Sequence, residues 1–350
     1  MTMFSAVDAA RRRAGQALDA AGAGPREAPF GILAEWPGAR LRRYEPERAE
    51  SGPPLLILPA PFKRPYIWDL LPEVSVVRRC LERGLPAHLL EWLDPTEAQD
   101  GMGLSDYAGR LPALAVDAIA AATGRDRLVL TGHSLGGTFA AIQASLSPER
   151  VAALVLVDAP LAFGSRGGPI AEAVAALPHA RALRAGADRP MPGSLIGLLS
   201  AAAVPQAFVG QVWADHLASL GDAAARAIHA RVRRWTLDEF ALPGQLFEDV
   251  VELLYRHDRF LDGSLEIDGR TTGVGRLRGP LLAVVNPVGH VVPPDSMLAA
   301  LERLPGVARR VLRYEGDRGV AIQHLGPLVA PVAHTRLWPA ILDWVREVAA

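Results

Sequence analysis

The chain has 350 residues, half of them apolar and 21% charged, and a formal net charge of -1. That balance suits a globular core, excludes wholesale disorder, and leaves no global field to draw nucleic acid or an anionic membrane. A single cysteine, Cys80, excludes an internal disulfide and a thiolate metal cluster; the nine histidines show no HxxxH or HxH spacing, so no metal or cofactor is expected.

The first 24 residues lack the apolar segment of a secretory signal and read as an amphipathic helix, with Arg11–Arg13 on a solvated face. Residues 1–28 are expected to form an N-terminal helical extension, and the cytoplasm is the default location. Residues 29–47 read as two short strands around Pro37-Gly38, a strong turn signal. The run PPLLILPAP (53–61) reads as a buried strand between prolines. A helix over 69–84 ending at Gly84 follows, then a strand over 86–92. Residues 104–124 read as a helix opened by a Ser105 cap and closed by Gly124. RLVLTGHS is a strand, LGGTFAAIQASLS a helix, and VAALVLVDAP (151–160) another buried strand. Strands alternating with helices through short connections imply a doubly wound, mostly parallel α/β sheet, whose first part spans 29–163.

The alternation stops near Phe163. Residues 164–276 are helical in pattern, rich in Ala and Arg, and read as a helical cap insertion. Within them, Pro190 to Ala214 carry no charge. That length could span a bilayer, but Pro205, Gln206, Gln211 and several glycines and serines break it into two short pieces, so a buried or lid helix pair is expected rather than a transmembrane span. Alternation returns over 277–350, the second part of the core: a strand at 279–286, a helix at 295–304, a strand at 308–316 and a last helix at 336–349.

Gly132, His133, Ser134, Leu135 and Gly136 match G-x-S-x-G, with a strand before and a helix after. In that context the serine occupies a strained strand-to-helix turn that lifts its Oγ clear of the sheet. The flanking glycines admit close backbone, and the N–H of Leu135 points at a developing oxyanion. The bland alternative is a glycine-rich turn with a capping serine. A phosphate loop is excluded because no lysine follows, and the G-x-G-x-x-G dinucleotide pattern is absent. A serine nucleophile needs a base, and in such folds the chain order is Ser, acid, His. His324, after the strand at 308–316, fits best. His334 is better explained as a cap or surface residue, and His290 follows the previous strand. The second oxyanion donor is expected in the loop after strand 53–61; Pro61 has no N–H, which leaves Phe62. Lys63 is either solvated or a contact for an anionic group.

Six stretches carry a resemblance: RPYIWDLLPEVSVVRRCLERG, LSDY, GHSLGGTFA, VDAPLAFG, VVPP and LWPAILDW. Through them residues 52–163 and 233–348 resemble the α/β-hydrolase-type catalytic domain of the polyhydroxyalkanoate synthases, especially the short form. The resemblance implies the α/β-hydrolase fold and a hydroxyacyl-CoA substrate. The family nucleophile is usually cysteine, where this chain has Ser134, and the family acid usually precedes H-[IV]-V-P, where this chain has Gly289. The first departure tilts the expectation toward a serine esterase, thioesterase or acyltransferase. The second calls for a replacement acid. Asp158, 24 residues after the serine at the end of strand 151–160, is the candidate, as in hydrolases that carry the acid on that strand. Asp295, Asp317 or a plain Ser–His dyad are the alternatives. The expected partner is a small acyl ester or acyl-CoA; a homodimer or a partner subunit stays open. A serine polyester synthase and a non-catalytic granule-associated scaffold are the competing functions.

Overall fold

The computed structural model describes residues 3–45, 52–238, 240–304, 306–316 and 323–349. Eight strands form one sheet: β1 (Gly31–Trp36), β2 (Ala39–Tyr44), β3 (Leu55–Leu58), β4 (Ala87–Trp92), β5 (Leu128–His133), β6 (Val151–Val157), β7 (Leu281–Val285) and β8 (Arg309–Arg313). Their spatial order is β1-β2-β4-β3-β5-β6-β7-β8. From β4 to β8 every pairing is parallel, while β1 and β2 add an antiparallel edge. The five central strands are buried along their whole length; three of them are unbroken apolar runs, while β4 buries His88 and Glu91 and β5 buries Thr131 and His133.

Helices cover both faces of the sheet, and α1 (Met3–Leu18) precedes it in the chain. One core gathers around α3 (Leu111–Thr123) and α4 (Leu135–Leu146), with Phe139, Ile142, Leu130 and Leu156 at its centre. The other joins α2 (Val76–Glu82) to the C-terminal helix Trp338–Val348, through Trp68, Trp338, Ile57 and Val155. Alternate residues of β6, Leu156 and Val155, thus serve opposite layers, as the two-residue pleat requires.

Three readings change. The helix expected over 69–84 begins only at Val76, because Asp69–Leu71 and Val74–Ser75 pair as a small hairpin. Ser75 caps it by accepting the Arg78 N–H. Ser105 is not the cap of its helix: the Asp106 carboxylate accepts the Gly103 N–H, and the Ser105 hydroxyl accepts the Asp268 N–H. Gly124 does close that helix, in the left-handed conformation. The segment 164–276 is not all helical. A hairpin of Leu265–Ile267 with Arg270–Thr272 packs against α4, and the Thr272 and Ser145 hydroxyls lie 2.7 Å apart.

The uncharged stretch forms two helical pieces, Gly193–Ala203 and Gln206–Ser219, bent by 107° at Pro205. Among the described residues no single helix is long and apolar enough to cross a membrane; this bent pair passes that test by length and composition alone. It carries more apolar surface than its inner side can bury, so Leu198, Val209, Trp213 and Leu217 remain exposed.

Candidate active site

Sterics build the elbow between β5 and α4. Ser134 has φ 56°, a left-handed value that costs a non-glycine residue about 1–3 kcal/mol. Its side chain makes no capping hydrogen bond to α4, so the bland reading of a capping serine has no support. Three glycines make the turn fit. A Cβ at Gly132 would lie 2.5 Å from the carbonyl carbon of Gly136 and the nitrogen of Gly137. One at Gly136 would enter the Leu58 carbonyl oxygen and lie 2.6 Å from the Pro59 carbonyl carbon, and one at Gly137 would collide with the Ala159 methyl. The close approach at Gly136 brings the loop after β3 against the first turn of α4. Leu135 opens that helix, where N–H groups have no intrahelical acceptor. Phe62, half-buried against the core, lies three residues beyond Pro59 on the same loop. The loop is pinned by the Trp92 Nε1–H on the Pro59 carbonyl at 2.9 Å and the Trp235 Nε1–H on the Arg64 carbonyl at 2.7 Å. Lys63 donates to the Thr236 carbonyl at 3.0 Å, so that ammonium is engaged within the fold.

Asp158 and His324 meet. His324 Nδ1 stands 2.6 Å from Asp158 Oδ2. Asp158 is 2% exposed and leaves β6 with φ 45°, a conformation aspartate tolerates better than most residues. Its N–H still reaches the Val284 carbonyl at 2.9 Å, so the carboxylate rides on the sheet itself. A carboxylate accepts, so Nδ1 carries the hydrogen and Nε2 keeps a lone pair. His324 sits on a short turn, Gln323–Leu325, before the helix Gly326–Val329.

The remaining candidates fall elsewhere. His334 is buried, not at the surface, and its Nε2–H donates to the Leu328 carbonyl at 2.8 Å. Burial and the nearby Arg79 push its pKa down to about 4, with burial the larger cause. His290 is exposed at the rim of the small space beside Asp158. Asp295 is exposed in the first turn of helix Pro294–Glu302, and Asp317 lies outside the described residues. Gly289 closes a tight turn in which its N–H reaches the Asn286 carbonyl at 3.1 Å and the Asn286 side chain accepts the Val288 N–H at 3.0 Å. A Cβ at Gly289 would lie 2.5 Å from the Val292 carbonyl oxygen, so this loop is too tight for a side chain.

Sequence reasoning missed two sets of neighbours. His133, the variable residue inside the serine motif, lies against the His324 ring with centroids 4.3 Å apart. Its position in the motif was a signal left unused. Gln211 of the bent helix pair donates to the Gln323 side chain at 3.3 Å, and with Ala207 it helps enclose a space of about 10 Å³ beside Asp158 and His324. No pattern in the sequence marks that contact.

The topology and the elbow define a protein of the α/β-hydrolase fold, and residues 80–178 match the family model described as the alpha/beta hydrolase fold. Within that class the chain is similar over most of its length to poly(3-hydroxyalkanoate) polymerase subunits named PhaC. It is 28% identical to that of Haloferax mediterranei over 88% of this chain and 62% of the relative. It is 26% identical to that of Allochromatium vinosum over 88% and 86%, and 28% identical to that of Synechocystis sp. over 88% and 81%. The chain thus spans about three fifths of the haloarchaeal relative and most of the other two. Among solved structures, an esterase from Thermogutta terrifontis superimposes with a TM-score of 0.55 at 18% identity, covering 92% of this chain and all of that one. A monoacylglycerol lipase from Paleococcus ferrophilus gives 0.55 at 15%, covering 88% and 98%. These structural likenesses concern the fold.

Proposed function

We propose that the protein is a serine acyl hydrolase or acyltransferase acting on an ester or thioester, of hydroxyacyl type. Ser134 attacks the acyl carbonyl while His324 Nε2 takes its proton. The Leu135 and Phe62 N–H groups hold the oxyanion, and His324 returns the proton to the departing alkoxide or thiolate. Water or a hydroxyl acceptor then releases the acyl group by the same route. Asp158 keeps the hydrogen on Nδ1 and stabilises the imidazolium that forms. The observation that carries this reading is the 2.6 Å contact between His324 and the buried Asp158, together with a serine held at φ 56° in the turn between β5 and α4. It supplies an acid on β6 where the usual position, Gly289, has none. The hydroxyacyl preference rests on the similarity to the polymerase subunits. Residues 1–28 read as the N-terminal extension and 164–276 as the cap over a core of 29–163 and 277–350. The reading includes no metal and no cofactor, and it leaves a homodimer or partner subunit open.

The second reading, a polyester synthase working through serine, is favoured by one observation: the relatives that match over 88% of the chain are named polymerases. The experiment that separates the two incubates the full chain with 3-hydroxybutyryl-CoA and follows both CoA release and product mass. Free 3-hydroxybutyrate in step with CoA supports the hydrolase. Ester-linked oligomers support the synthase. No release of CoA, and no turnover of p-nitrophenyl butyrate, would favour a non-catalytic scaffold.

A further inference from the structure

We propose that His133 is a positioning residue for the base: its Nε2–H, donated to the carbonyl of His324, whose ring lies against its own, holds that imidazole in register with Asp158 and Ser134. This inference rests on the triad reading above.

His133 Nε2 lies 2.8 Å from the His324 carbonyl oxygen. A carbonyl only accepts, so Nε2 carries the hydrogen and the tautomer is fixed. The rings are tilted by 39° with centroids 4.3 Å apart. His133 ends β5 and pairs in the ladder with Val157, the residue before Asp158, so its own backbone is fixed by the sheet. His324 lies instead on a three-residue turn outside any strand. The Asp158 contact fixes one ring atom of the base; the His133 contact fixes its main chain. Two anchors on adjacent strand ends thus define where His324 Nε2 stands relative to Ser134.

His133 also suits the task by staying neutral. Burial, with the adjacent His324 ring adding to it, holds its pKa well below the usual histidine range. No second cation then opposes the imidazolium that forms on His324 during turnover. The other groups around the base are Asp158 at the end of β6, Asn286 and His290 after β7, Gln211 of the bent helix pair, and Gln323 beside it.

Two variants separate the parts. His133→Phe keeps a ring and removes the donor; His133→Gln places an amide N–H near the former Nε2–H and removes the ring. The full chain is assayed with p-nitrophenyl butyrate for kcat, KM and pH profile, and with a fluorophosphonate for labelling rate, beside Ser134→Ala. His133→Phe is expected to lower kcat about 10- to 100-fold with KM within about twofold. It should also shift the acid limb to lower pH, because a misaligned imidazolium loses the help of Asp158. His133→Gln should stay within about fivefold of the parent in kcat and labelling, with the acid limb in place. A His133→Phe enzyme with parental kcat and acid limb overturns the proposal, as do two variants equally impaired with unmoved acid limbs. If His133→Phe does not fold, the glutamine variant decides: a loss of labelling beyond about tenfold overturns it. An inert Ser134→Ala beside an indifferent His133→Phe sinks this inference alone, whereas an active Ser134→Ala sinks the triad reading beneath it.

Discussion

At Asp158 a buried carboxylate lies 2.6 Å from the His324 ring, whereas the loop at Gly289 has no room for a side chain. The expected outcome of Asp158→Asn is a kcat lower by about two to four decades with little change in KM, since the amide no longer selects the Nδ1–H tautomer or offsets the imidazolium; steady-state kinetics on p-nitrophenyl butyrate check it. Adding Gly289→Asp to that variant is expected to rescue nothing and to lower the melting temperature, because the Val292 carbonyl oxygen already occupies the space of a Cβ. The same argument applies at the elbow. Gly136→Ala would drive a methyl into the Leu58 carbonyl, so loss of labelling at Ser134 together with a lower melting temperature is expected. The motif and its glycines were legible because they are contiguous and each has a steric reason. The choice of Asp158 was legible only as a position at a strand end. That His324 reaches it depends on a turn whose path no periodicity encodes, and the role of His334 was misread because its burial comes from packing remote in sequence.

At the scale of elements, the sheet was legible strand by strand. Central strands such as Leu281–Val285 have no polar face, so their apolar runs are unambiguous. The helix expected from Asp69 failed because local propensity there is outweighed by pairing: the Asp69 carboxylate accepts the Ser75 hydroxyl and the Ala28 N–H, each at 2.5 Å, and fixes a hairpin instead. The hairpin at 265–272 was hidden in a segment whose composition reads as helix. Burial predicts which elements carry stability. Leu156→Ala, in a fully buried strand position, should cost about 2–5 kcal/mol in denaturant unfolding. Trp213→Ser, 66% exposed on the bent helix pair, should cost under about 0.5 kcal/mol. A large loss for Trp213→Ser would mean that this face is covered in solution.

Across the whole molecule, the N-terminal residues are tied to residues 193–236 by long-range contacts. Asp8 accepts the N–H groups of Gly193 and Ser194 at 3.1 and 2.9 Å, Arg11 donates to the Thr236 carbonyl at 2.8 Å, and Asp19 pairs with Arg234 at 2.8 Å. Arg12 and Arg13 do stay exposed. Such long-range ties are invisible in a chain-order reading, because each joins residues over 180 positions apart. Two buried histidines should also make stability pH-dependent. His88 and His334 are buried, and burial is the main cause that lowers each pKa from 6.5 to about 4. Between those values the unfolded chain binds protons that the folded one refuses. Each ring therefore contributes stability that is complete above about pH 6.5 and is lost as pH drops toward 4, by up to about 1.4 kcal/mol per pH unit, while Asp258, raised to about 6 chiefly by burial, contributes in the opposite sense below pH 6. Denaturant titrations of the parent and of His334→Gln from pH 7.5 to 4.5 check this: the parent should lose more stability than the variant as pH falls, and parallel profiles would contradict it.

The central claim is that Ser134, activated by His324 and Asp158, is the nucleophile, and peptide mapping of the fluorophosphonate-treated full chain tests it most directly. The account predicts a single adduct on the peptide carrying Ser134, lost in Ser134→Ala and slowed by at least about a hundredfold in His324→Ala and Asp158→Asn. An adduct on another residue, or labelling of Ser134 at an unchanged rate in His324→Ala, would contradict it.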